Sequence, residues 1–340
     1  MKILIVGAGS VGKVYGYHLS QAGVEISFFV KEKYAEAARA GFTLYPRSKK
    51  QTPTPITWTN FKVLTTREEV KRDYFDYVIF AMSSPALRTG WLEDFLQAIP
   101  QSVIVSLQPG MFDQDYLMKR LSPSRIISGT ISILSYEAPI DGEKDEKPGT
   151  AFWIPFGSYS MLSGVVAQVD LLIEFLVKGG IPAKRVKNAH QENIVASVTL
   201  TLMVEALKQN DWSFEKLLKS PALKAMSEAI PEAAAVQAKQ AGAPVPKYTK
   251  IFHPLLFKAL FASTKFLVPF DLEKYMKVHF TKVGDQMSEH LDQLIEFGHA
   301  SNLPVKKIEA LEEGIRGEVN TEIKTEAAKM PNEKAEPGEK

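Results

Sequence analysis

The aliphatic run Ile3-Leu-Ile-Val6, followed at once by Gly7-Ala-Gly9-Ser-Val-Gly12, constrains this chain more than any other feature. Such a run reads as a buried strand, and the Gly-x-Gly-x-x-Gly spacing then leads into the helical pattern of Val11 to Ala22. Each glycine has a physical task. Gly7 permits the tight turn, Gly9 lets the backbone approach a pyrophosphate, and Gly12 allows close packing of helix on strand. The amides of Ser10 and Val11, at the helix start, are expected to hold the phosphates, because a helix N-terminus presents unpaired N–H groups. The helix stops at Gly23 and a second strand, Glu25 to Val30, follows. The spacing therefore predicts a dinucleotide-binding loop made of Gly7, Gly9, Ser10, Val11 and Gly12.

The tip of the second strand normally selects the form of the dinucleotide: an acid holds a ribose 2′-hydroxyl, a base holds a 2′-phosphate. Here the residues are Phe29-Val-Lys31-Glu32-Lys33. Lys31 comes first after the strand and Lys33 follows, so the charge favours NADPH over NADH, although Glu32 lies near the place of an NADH-selecting acid.

At 340 residues two domains are expected. The formal net charge of +2 gives no reason to expect nucleic acid. Without cysteine there is no disulfide framework, thiolate metal site or cysteine nucleophile, and no pair of the six histidines has metal-binding spacing with a carboxylate, so no metal is expected. No charged segment precedes an apolar leader, which makes a cytoplasmic enzyme the default expectation. The most apolar long stretch, Ile251 to Phe270, is broken by His253, Lys258 and Lys265 and contains Pro254 and Pro269, so no membrane span is expected. It reads as a core helix of the second domain in preference to a helix lying in a membrane surface with its lysines snorkelling.

Strands and helices alternate through the first half. Asp76 to Met82, Ser102 to Leu107 and Arg125 to Leu134 read as buried strands, Ala86 to Ala98 as a helix, and Ile56 to Leu64 as an edge strand. Beyond Ser163 the pattern is helical almost throughout. The expected fold is α/β: an N-terminal doubly wound parallel sheet over 1–165, an all-α C-terminal domain over 166–316, and a charged tail, 317–340, too poor in large apolar residues to order itself.

Several strings resemble the ketopantoate reductase (2-dehydropantoate 2-reductase) family over most of the chain. They are Ile5-Val-Gly-Ala-Gly-Ser-Val-Gly12, Phe29-Val-Lys-Glu-Lys-Tyr34, Phe75-Asp-Tyr-Val-Ile-Phe-Ala81, Val105-Ser-Leu-Gln-Pro-Gly-Met111, Gly180-Ile-Pro-Ala183, and Glu296-Phe-Gly298 with Asn302-Leu-Pro304. The resemblance implies a Rossmann domain followed by a helical domain, a small-molecule substrate in the cleft between them, and NADPH as hydride donor to a 2-oxo acid. It also implies cofactor-facing positions at Ser83 and Gln108.

The departures from the family pattern bear on chemistry. Ser83 stands where the family has lysine, and Gln108-Pro109-Gly110 where it has Gln-Asn-Gly. The family's active-site lysine and the following asparagine fall near Ser197 and Thr201, and its late acidic residue aligns with Gln286. Ketone reduction needs a proton donor and a group to stabilise the forming alkoxide. Losing a charged electrophile costs ~3 kcal/mol or more of transition-state stabilisation unless another group substitutes. Ketopantoate itself is therefore not the expected substrate; another 2-oxo acid-like carbonyl, or an imine, is. His190, Asn193, Ser197 and Thr201 recur at helical spacing and form one polar stripe, which either lines a wet cleft or faces solvent. Read as cleft-lining, it makes Asn193, Ser197 and His190 the candidate catalytic residues. The late helix adds His279, Lys282, Asp285 and Gln286. The same replacements also suit a non-catalytic NADP-binding sensor or regulatory protein, and the long helical domain suits a homodimer.

Overall fold

The structure, a computed structural model, describes residues 1–313 apart from 51–53, 109, 145, 146 and 283; the expected tail, 317–340, lies outside them. Strand β1 (Lys2–Val6) leads through the glycine loop into α1 (Ser10–Gln21) and β2 (Glu25–Phe29). A short α2 (Ala35–Arg39) precedes β3 (Phe42–Pro46), β4 (Ile56–Trp58) and β5 (Lys62–Leu64). Next come α3 (Arg67–Lys71), β6 (Tyr77–Phe80), α4 (Ser84–Leu87), α5 (Leu92–Ala98), β7 (Val103–Ser106), α6 (Met111–Met118) and β8 (Ile126–Gly129). After β9 (Leu134–Ala138), β10 (Gly149–Trp153) and β11 (Ser160–Ser163), helix α7 (Val166–Gly179) returns the chain to β12 (Ala183–Arg185). The remainder is helical: α8 (Ala189–Lys208), α9 (Phe214–Lys219), α10 (Ala222–Gln240), α11 (Pro254–Leu267), α12 (Leu272–Lys282), α13 (Gly284–Ala300) and residues 306–313.

The main sheet has the order β12-β11-β8-β7-β6-β1-β2-β5. From β5 to β8 every pairing is parallel, and β11 alone runs antiparallel to its neighbour β8. The run of apolar residues in β1 explains its central place. Alternation sends Ile3 and Ile5 into a core with Val14, Leu19 and Leu172 of α1 and α7, while Leu4 and Val6 enter a second core with Val70 and Phe95 of α3 and α5. Helices therefore cover both faces. The chain steps outward from β1 through β2 to β5, then resumes on the other side at β6, so the strand order reverses between β1 and β6. Ligands of such sheets bind in the crevice beyond the strand C-termini at this switch point.

A second sheet, β4-β3-β10-β9, lies along α1, with Trp58 edge-on to Tyr17 and Phe152 edge-on to His18. The expected strand from Arg125 to Leu134 is divided between the sheets: β8 ends at Gly129, and Leu134 opens β9. Likewise Ile56 to Leu64 forms two strands, one in each sheet.

The sheet unit also extends past residue 165. Leu172 and Leu176 of α7 share the core of Ile3 and Ile5, and β12 pairs in parallel with β11. A Cβ on Gly179 would lie 2.0 Å from the carbonyl oxygen of His18, so the end of α7 sits directly on α1. The all-helical region begins where Asn188 caps α8, its side chain accepting from His190 N and Gln191 N at 3.0 and 3.1 Å. Its core packs α8, α10 and α13 through Leu202, Ile230, Ala233 and Leu294. The stretch Ile251 to Phe270, read as a core helix, buries little in α11 beyond Phe257 and Phe261, and Leu255 and Phe266 are 66% and 80% exposed.

Candidate active site

The loop joining β1 to α1 is held at both ends. Gly7 N donates to Phe29 O at 3.0 Å, tying the loop to the tip of β2. Gly7 adopts φ +97°, which side-chain-bearing residues rarely tolerate. A Cβ on Gly12 would lie 2.6 Å from Gly7 O and 3.2 Å from Ala81 Cβ, so α1 can approach β1 and β6 this closely only without a side chain there. Gly9 differs: a Cβ would meet nothing within 4 Å. The protein leaves space above Gly9, and no side chain caps the first turn of α1. The N–H groups of that turn, including those of Ser10 and Val11, are thus left for an outside acceptor. A pyrophosphate fits this cradle on both steric and electrostatic grounds.

Lys31 follows the tip of β2 and opens a short turn over Glu32–Tyr34. Residues 31–34 are all exposed, and Lys31 pairs with no acid among the described residues. Lys33 lies over the Tyr34 ring at 4.9 Å. The cationic position is therefore free to meet a ligand phosphate.

On the other side of the switch point, Ser83 is exposed at the N-cap of α4 and its hydroxyl makes no capping bond. Gln108 is turned inward. It is 2% exposed, its Oε1 accepts from Ser106 Oγ at 2.7 Å, and its Nε2 donates to Met82 O at 2.9 Å and Phe80 O at 3.3 Å. Its amide is spent within the fold, fixing the turn that carries Ser83. The neighbouring position 109 is outside the described residues.

The helical domain reaches this turn. Gln286 Oε1 accepts from Ser84 N at 3.3 Å. Arg88 forms ion pairs at 2.5 Å with both Asp113 of α6 and Glu289 of α13. Burial raises the Asp113 carboxyl above the usual carboxylate range, against the pull of Ser84 and Arg88. These bonds tie the β6–α4 turn and α6 to α13.

On α8 the polar stripe faces inward at most of its length, not solvent. His190, Ser197 and Thr201 are 7%, 7% and 1% exposed, and Asn193 is half-buried. Thr201 Oγ1 lies 2.8 Å from His290 Nδ1 of α13, whose ring is pushed down to about 4 by burial. The Asn193 amide and the Ser197 hydroxyl make no hydrogen bond with any described residue. Neither group is fully enclosed, so an outside partner can reach both. His190 is packed at the start of α8 and is engaged within the fold. Lys282 is exposed, and His279 is held down to about 4, chiefly by burial.

One feature of the loop depends on residues far apart in the chain. Glu137 of β9 accepts from Ser10 Oγ at 3.2 Å and from Lys13 Nζ at 3.3 Å. A carboxylate thus stands at the first turn of α1, neutralised by an ammonium that lies over the Phe42 ring. Nothing in local sequence joins positions 10, 13 and 137; the second sheet does. A cavity of about 790 Å³ opens elsewhere, between the outer face of that sheet and the residues after α11, where Tyr45, Arg47, Glu143 and Lys274 line it. It holds none of the glycine-loop or α8 residues. Among the described residues no group of three His, Asp or Glu could hold a metal.

Residues 3–141, from β1 to just past β9, match the family model described as ketopantoate reductase PanE/ApbA. No curated protein matches the chain by sequence. Among solved structures, D-mandelate dehydrogenase with NADH and anilino(oxo)acetate superposes with a TM-score of 0.69 at 16% identity, covering 94% of this chain and 99% of that one. The 2-dehydropantoate 2-reductase of Geobacter metallireducens gives 0.66 at 16% identity, with coverage of 93% and 99%. A PanE/ApbA family ketopantoate reductase of Ralstonia eutropha gives 0.66 at 18%, with 93% and 97%. At such identities the structures speak to the fold, which is shared over nearly the whole chain.

Proposed function

We propose that this chain, whose residues 3–141 match the ketopantoate reductase PanE/ApbA family model, is a divergent relative of that family and an NADPH-dependent oxidoreductase. Its substrate is a 2-oxo acid-like carbonyl compound or imine other than ketopantoate, bound in the cleft between the sheet domain and α8. The observation that carries this reading is the combination of an uncapped, sterically open glycine loop with an unpaired Asn193 and Ser197 on α8.

Bound NADPH supplies the hydride. The first turn of α1 holds the pyrophosphate, and Lys31 holds the 2′-phosphate, a charge-assisted contact that NADH lacks. Ser83 meets the cofactor from the β6–α4 turn, which Gln108 keeps in place from below. Ser197 Oγ donates a hydrogen bond to the carbonyl oxygen as negative charge develops there, and the Asn193 amide orients the same oxygen. A serine hydroxyl is too weak an acid to surrender its own proton, so the proton reaches the product oxygen from water admitted past the half-buried Asn193. Thr201 is committed to His290. His190 positions the N-terminal end of α8. The 2-oxo acid class is supported by the D-mandelate dehydrogenase neighbour, whose ligand anilino(oxo)acetate bears an oxo group beside a carboxylate.

Steady-state oxidation of NADPH with a panel of 2-oxo acids, aldehydes and imines tests the proposal. Turnover is expected, and Ser197→Ala is expected to lower kcat about a hundredfold, the effect of losing one such donor. Tight NADPH binding without turnover of any compound would instead support a non-catalytic NADP-binding sensor.

A further inference from the structure

Helix α11 presents an unpartnered face. Of the nineteen large apolar side chains exposed among the described residues, eight lie between Val245 and Leu267, so the exposure is a local cluster, not a scatter. Phe257 and Phe261 anchor the helix; the Phe261 ring stacks on Phe214 at 4.4 Å. Leu255, Ala259, Ala262 and Phe266 recur at helical spacing on the opposite side and all are exposed. Leu267, at 63% exposed, widens that face.

The charge on the segment itself has one sign. Residues 245–270 contain four lysines and no Asp or Glu. Lys247, Lys258 and Lys265 are exposed and pair with no acid among the described residues. Lys258 and Lys265 lie along one flank of the apolar face, and Lys49 Nζ reaches the C-terminal end of α11, donating to Lys265 O at 2.6 Å. Glu215, the acid whose field acts on Lys265, is already paired with Lys219 at 2.6 Å.

This combination selects among occupants. A second copy docked about a two-fold axis would set the lysines of one face against those of the other with no acid between them. An anionic bilayer satisfies both features, its phosphates meeting the ammonium groups and its interfacial hydrocarbon the leucines and phenylalanine. At fourteen residues α11 is about 21 Å long, too short to cross a bilayer, and no described helix is long and apolar enough to do so.

We propose that α11 docks this protein peripherally on an anionic lipid surface, with Leu255, Phe266 and Leu267 in the interfacial region and Lys49, Lys258 and Lys265 at the lipid phosphates. The inference stands independently of the reductase reading.

Co-sedimentation of the full chain with vesicles of phosphatidylcholine mixed with phosphatidylglycerol, against phosphatidylcholine alone, tests it. Binding to the anionic vesicles at low salt and its loss at high salt are expected. Phe266→Glu is expected to abolish the interaction, and the Lys258→Gln, Lys265→Gln pair to weaken it ~30-fold. Circular dichroism and light scattering accompany each variant. No binding of the unaltered chain to anionic vesicles at low salt overturns the proposal, as does equal binding by folded Phe266→Glu. A dimer that Phe266→Glu converts to monomer, without lipid binding, assigns the face to a second copy and overturns it too.

Discussion

Gly9 and Gly12 are three residues apart in one loop, yet alanine at each should fail in opposite ways. At Gly9 a Cβ meets no heavy atom within 4 Å, and φ −74°, ψ 177° is extended backbone open to any residue. Gly9→Ala should therefore cost stability only through a poorer helix cap, less than about 1 kcal/mol. For a chain of this size that shifts Tm by about 2 °C. The methyl group, however, stands in the space over the first turn of α1, where the pyrophosphate would lie against backbone. NADPH affinity should fall tenfold or more, ~1.4 kcal/mol per decade. At Gly12 the Cβ would sit 2.6 Å from Gly7 O, 3.1 Å from Ile5 Cγ2 and 3.2 Å from Ala81 Cβ. Gly7 O is loop backbone and Ala81 Cβ belongs to a side chain that cannot swing away. Overpacking of this kind costs ~1–3 kcal/mol, so Gly12→Ala should lower Tm by several degrees and disturb binding as a consequence. Differential scanning calorimetry with titration calorimetry separates the two. Unchanged NADPH affinity in Gly9→Ala, or an unchanged melt in Gly12→Ala, would refute the assignment of roles.

Arg88→Ala should destabilise by about 3 kcal/mol, because it leaves the buried Asp113 without its cation; adding Asp113→Asn should recover most of the loss, and a double-mutant cycle by chemical denaturation reads the coupling. Stability should also fall in acid through His290. Its ring takes a proton below about 6.5 when unfolded but only below about 4 when folded, so the unfolded chain binds more protons in that window and stability drops as pH falls through it. At pH 5 the loss is about 2 kcal/mol, and melts at pH 7 and pH 5 should show a smaller difference in His290→Gln, which retains an acceptor for Thr201. An unchanged pH dependence in that variant would contradict the burial argument.

The parts of this fold written in contiguous residues were readable in advance. The glycine loop, the central strands around Ile3 to Val6 and Tyr77 to Phe80, and the long helices α8, α10 and α13 each carry their own period and punctuation. What sequence could not show depends on partners distant along the chain. Helix α7 looks like the first helix of an all-α domain, yet Leu172 and Leu176 find their partners on β1 and α1. Gln108 reads as a cofactor contact until Ser106, Phe80 and Met82 are seen to take up its amide. Glu137, Ser10 and Lys13 meet only because β9 lies along α1. The apolar run around α11 has the composition of a core helix yet is largely exposed, because composition does not say which side of a helix has a neighbour.

The central claim is that the glycine loop and Lys31 together bind NADPH. Calorimetric titration of the full chain with NADPH and with NADH, repeated on Lys31→Glu, tests it most directly. The account predicts that NADPH binds more tightly than NADH, and that Lys31→Glu removes the preference while leaving NADH affinity nearly unchanged. Binding of neither nucleotide, or an NADPH preference that survives Lys31→Glu, would contradict it.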